Sequence, residues 1–190
     1  MLRLVRFIDR LSKWVGRLAG WLIAALTLFI TAEVFSRYVL LEPHAWATDV
    51  QIMLYGSMIM LGGAFTLSQN AHVRADLIYA ALRPRAQASI DLSLYLLFFF
   101  PGILALVYAG FFFAEQAWII GERSSIMADG PPLFPFKATI PVAGFLLTLQ
   151  GLAEVLRCIM CLINGEWPPR AVDVEEVDVD KLRKIVEESK

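Results

Sequence analysis

Cys158 and Cys161 stand in a Cys-x-x-Cys spacing, which suits a redox pair or half of a metal site. A relay of electrons needs further cysteines, and the chain has only these two. Zinc needs four ligands, and beyond the cysteines only His72 falls on the same expected side of the chain. The burial habit of free cysteine accounts for the pair as small residues of an apolar helix. His44 and His72 both fall in connecting turns, where imidazole ordinarily is solvated or caps a helix. The chain has no Walker lysine loop, no glycine-rich dinucleotide fingerprint and no serine elbow. Neither a catalytic centre nor a cofactor is expected.

The remaining reactive side chains are charges set where apolar runs end. Glu33 and Arg37 form an i,i+4 acid-to-base pair, and Glu154 and Arg157 an i,i+3 pair. A carboxylate near hydrocarbon needs a partner, either within the chain or on another subunit. Asp49 falls in the first turn of a helix, where a negative charge meets the positive end of the helix dipole. Trp46, just before it, suits the depth of a membrane interface.

The elements that must position these groups are membrane helices. Of 190 residues, 58% are hydrophobic and 18% charged, and the mean hydropathy is +0.61. That exceeds what a soluble domain can bury, so the chain reads as an all-α integral membrane protein. A hydrocarbon core about 30 Å thick takes about 20 apolar helical residues, and four stretches qualify: residues 18–41, 47–68, 88–120 and 136–163. The net charge of −1 argues against nucleic acid as a partner.

Residues 1–17 carry Arg3, Arg6, Arg10, Lys13 and Arg17 on one helical face and Leu4, Phe7, Leu11, Trp14 and Leu18 on another. This pattern predicts a basic amphipathic helix in the membrane surface, its cations toward anionic lipid. The alternative is a charged flank that continues the first crossing. Lysines and arginines near the helix ends divide ten against three in favour of the side holding both termini, which predicts cytoplasmic termini.

Gly56 and Gly63, like Gly144 and Gly151, lie seven residues apart and share a face, which suits close helix packing in a bilayer. Gly102, Ala105 and Ala109 make a similar stripe, and Pro101-Gly102 predicts a kink. Residues 77–82 suit a short interfacial helix, and residues 164–190 form an acidic tail expected in the cytoplasm.

Several of these pieces, taken in order, resemble a known family. Glu33 and Arg37, Trp46 and Asp49, Leu61-Gly62-Gly63-Ala64, His72-Val73-Arg74-Ala75-Asp76, and Pro132 to Pro141 before Leu149-Gln150-Gly151 are similar to the small permease subunit of tripartite ATP-independent periplasmic (TRAP) transporters. The resemblance implies a bacterial inner-membrane scaffold of four helices. It implies a large permease partner that carries the sodium and substrate sites, and a periplasmic binding protein that delivers an organic acid or related metabolite. Within it, Glu33, Arg37, Trp46 and Asp49 are the expected partner interface. Two other classes stand beside this one: a four-helix membrane thiol oxidoreductase, and a self-contained small channel or exporter. Against the oxidoreductase, the chain lacks shuttle cysteines; against the channel or exporter, the charges cluster at helix ends and no matched pair of interrupted segments marks a transport site within the chain.

Overall fold

The computed structural model describes residues 1–69, 79, 82–125 and 130–168. Among the described residues four helices are long and apolar enough to cross a membrane: α1 (Leu2–Leu40), α2 (Ala47–Ser68), α3 (Pro84–Ile119) and α4 (Phe134–Asn164). The expected four-helix membrane fold is thus what the chain forms. The inner-loop histidine His72, the proposed short helix at 77–82 and the tail from residue 169 onward lie outside the described residues, apart from Tyr79 and Leu82.

α1 differs from the expected division at residue 17. Its helix runs unbroken through Gly16, Arg17 and Leu18, so the basic segment and the first crossing are one rod. At 39 residues it extends about 58 Å at 1.5 Å per residue, well beyond one hydrocarbon thickness. The last turn widens into a π turn at Ser36–Leu40 and stops at Leu41, which adopts a left-handed conformation with φ 60°. The Leu41 N–H donates to the Ser36 carbonyl, and Pro43 follows to prevent further helix.

α3 begins with Pro84 in its first turn, behind an extended Arg83. Where a kink is predicted, the helix has a π turn at Tyr95–Phe99, ending two residues before Pro101. Proline has no N–H and its ring would strike the carbonyl four residues back, so a wider turn makes room for it. α4 ends on Gly165 at φ 83°, whose N–H returns to the Cys161 carbonyl at 2.8 Å.

α4 is the hub of the bundle. It packs on α1, α2 and α3, while α1 also runs along α2. Of its most apolar stretch 44% is buried, against 6–11% in the other three helices, which leaves those helices facing outward. Glycines set its distances from α2 and α3. A Cβ at Gly56 would lie 2.7 Å from the Phe136 ring, one at Gly144 2.7 Å from Val107, and one at Gly151 2.4 Å from Phe99. At Gly63 the nearest atoms belong to Leu147 at 3.7 Å, an ordinary contact. Gly102 has nothing within 4 Å, and Ala105 and Ala109 are exposed, so that stripe does not pack within this chain.

Candidate functional site

The first polar cluster joins the start of α1 to the later turns of α4. Residues Val5, Ile8, Asp9, Ser12 and Ala19 recur at helical spacing and are all buried, the third face of α1 beside its basic and apolar ones. Val5 and Ile8 pack with Ala153 and Met160, which brings Asp9 against Arg157. Arg157 donates from one guanidinium nitrogen to Asp9 Oδ2 and from the other to Glu154 Oε1. The Gln150 amide donates to Asp9 Oδ1 at 3.1 Å and to Glu154 Oε1 at 3.4 Å, and its own Oε1 accepts from the Ser12 hydroxyl at 2.8 Å. All five side chains are buried, and each has partners there. The Glu154–Arg157 pair is visible from its spacing, but Asp9 and Ser12 have no part in the sequence pattern, and Gln150 enters it only within Leu149-Gln150-Gly151. The signal was the one acid among five cations, lying off their stripe and in line with Val5, Ile8 and Ser12.

The second cluster sits where α1 turns into α2. Glu33 is 7% exposed and accepts from the His44 backbone N–H at 3.0 Å through Oε1. His44 Nδ1 lies 3.0 Å from Oε2, within hydrogen-bond distance. Arg37 is the looser partner, 3.5 Å away and half exposed. The Ser36 hydroxyl closes the same turn by donating to the Glu42 carbonyl at 2.7 Å. Trp46 sits between Phe29 and His44 with ring centroids 5.9 and 5.4 Å away and the rings tilted by 47° and 56°, and is itself partly exposed. His44, which the sequence reading left without a role, thus holds the turn.

Asp49 is buried at the start of α2, and its Oδ1 accepts from the Ser124 hydroxyl at 2.8 Å. Its other carboxylate oxygen is buried and has no hydrogen-bond partner among the described residues. Ser124 belongs to the connection between α3 and α4, where its N–H donates to the Pro131 carbonyl at 3.0 Å. Lys137 in the first turn of α4 pairs with Glu122 and lies 3.8 Å from the centre of the Phe113 ring. Asp49 therefore ties two connections together at this end of the bundle. Of the four residues expected at a partner interface, Glu33 and Asp49 face inward, while Arg37 and Trp46 reach the surface.

The two cysteines are buried and unbridged in α4, in the cluster with Leu67, Ala88 and Tyr95. The Cys161 thiol points at the Pro84 carbonyl at 3.5 Å. Among the described residues no group of three metal-binding side chains comes together. What the two clusters do chemically is neutralise buried charge at the ends of helices and fix how those helices meet.

A multi-pass membrane protein whose ionisable groups fasten helix ends is the class that this architecture defines. The family profile described as "Tripartite ATP-independent periplasmic transporters, DctQ component" matches residues 26–160, and the chain belongs to that family. It is also similar to the sialic acid TRAP transporter small permease protein SiaQ of Vibrio cholerae serotype O1, with 23% identity over 157 residues covering 80% of this chain and 85% of the relative. The chain is the small membrane subunit of a TRAP transporter, a transporter component and not an enzyme.

Proposed function

We propose that this subunit is a static scaffold that stabilises a large permease subunit and carries no substrate or sodium site of its own. Sodium-coupled uptake of an organic acid or similar metabolite then belongs to the large subunit, loaded by a periplasmic binding protein. The relative acts in a sialic acid transporter, which is one such acid. The observation that carries this reading is where the charges go. Glu33, Asp49, Lys137, Glu154 and Arg157 are each engaged by partners of their own chain near a helix end. A chain with its own ion path needs ionisable groups facing a polar cavity inside the bundle.

In this reading both termini are cytoplasmic, and the turn bearing Arg37 and Trp46 faces the periplasm. The exposed parts of Arg37 and Trp46 then meet the large permease, with Glu33, His44 and Asp49 holding them in place from behind. Co-expression with a large TRAP permease and affinity purification through a tag on this chain tests the proposal. The large subunit is expected to co-purify, and Arg37→Glu combined with Trp46→Ala is expected to reduce its recovery at least tenfold. A chain that always purifies alone as a monodisperse monomer, or that drives substrate flux alone in liposomes, overturns it.

A further inference from the structure

The start of α1 presents a charged surface that the scaffold role does not use. Arg3, Arg6, Arg10 and Arg17 are exposed and Lys13 is half-buried, all on one stripe of the helix. None of the five forms an ion pair among the described residues. Among the described residues the carboxylate within this stretch of helix, Asp9, lies on the buried face and is occupied by Arg157 and Gln150. Beside the basic stripe runs an apolar one, with Leu4, Phe7, Trp14 and Leu18 exposed by 55%, 65%, 59% and 49%.

The order of the three faces around the helix is informative. Successive residues turn by about 100°, which sets the buried face opposite the boundary between the basic and apolar stripes. A helix fastened to the bundle along its back thus offers cations and large apolar side chains side by side. Arg17 closes the basic stripe, and the uncharged run Leu18–Ala32 begins next to it. We propose that this stripe is a binding site for the headgroups of anionic phospholipids, with the α1 start inclined so that Leu4, Phe7 and Trp14 enter the acyl boundary. An acidic protein would cover the cations and leave that apolar stripe in water; a charged lipid surface satisfies both. The Asp9–Arg157 fastening fixes the rotation of the helix, so the cations face the headgroups whether or not lipid is bound.

Native mass spectrometry of the full chain, released from an equimolar mixture of phosphatidylglycerol and phosphatidylcholine with identical acyl chains, tests this. The wild type is expected to retain phosphatidylglycerol preferentially. Neutralising three cations as Arg3→Gln, Arg6→Gln and Arg10→Gln is expected to weaken that preference on the order of a hundredfold, about fivefold per charge. The matching triple lysine variant keeps the charge and is expected to keep the preference. Equal retention of the two lipids by the wild type overturns the proposal, and so does a preference that survives the glutamine variant. Loss of the preference in the lysine variant as well would reject headgroup charge as its basis.

Discussion

Arg157 and Asp9 lie 148 residues apart in the chain and form a buried ion pair where α1 meets α4. The pair determines how the N-terminal turns of α1 join the bundle, because Asp9 lies on the same buried stripe as Val5 and Ile8.

Removing the arginine is expected to be the most damaging change at this end. Arg157→Ala leaves Asp9 and Glu154 buried without their cation, and a broken buried pair of this kind costs about 3–5 kcal/mol. Asp9→Asn keeps the shape and an acceptor for Gln150, and is expected to cost less. Thermal unfolding of the purified chain in detergent, followed by circular dichroism, ranks the two. The double variant Asp9→Asn with Arg157→Met is expected to lose less than the sum of its parts, since the sites are coupled.

At the opposite end the turn depends on Glu33. Glu33→Ala removes the acceptor of the His44 N–H and the contact to its exposed ring, for about 1 kcal/mol. His44→Ala removes only the ring contact and is expected to cost less. Hydrogen exchange over residues 41–46 should accelerate in the first variant more than in the second.

Asp49→Ala is expected to act at a distance in sequence. It removes the bond to Ser124, so exchange and proteolytic cutting should rise in the connection around Ser124 while the interior of α2 stays protected.

Glycines that look alike in the sequence are expected to behave differently. Gly151→Ala places a methyl group 2.4 Å from the Phe99 ring, and overpacking of that degree costs about 1–3 kcal/mol. Gly62→Ala meets nothing within 4 Å and is expected to be neutral or stabilising by up to about 1 kcal/mol. Melting temperatures of the two single variants decide the matter.

Cys158→Ser with Cys161→Ser is expected to leave uptake by the assembled transporter intact, at a modest cost in stability. Both thiols are buried and unbridged, so labelling of the folded wild type by a polar maleimide should be slow.

Four crossings were legible because apolar run length is a direct physical requirement of the bilayer, and the α2 run has clear ends at Trp46 and Ser68. The start of α1 was harder to read. Its five cations and its apolar side chains form an evident two-faced pattern, and the third face, Val5-Ile8-Asp9-Ser12, acquires meaning only once Gln150 and Arg157 are brought against it. The turn between α1 and α2 was legible only in part, for a similar reason. Glu33 and Arg37 pair by local spacing, yet the shorter contacts to Glu33 come from His44, across a chain reversal that spacing cannot show. Ser124 as the partner of Asp49, 75 residues away, had no local signal at all.

The π turn at Tyr95–Phe99 has a bearing on protein engineering. One surplus residue there advances the azimuth of everything before it by about 100° relative to everything after it. Deleting a single residue from that turn would therefore let it close as ordinary α-helix with Ala88 and Asp91 still facing their present neighbours, whereas a deletion elsewhere in α3 would turn its two parts by about 100° against each other. Chimaeras that splice α3 from two parents should place the junction on either side of this phase slip, never within it.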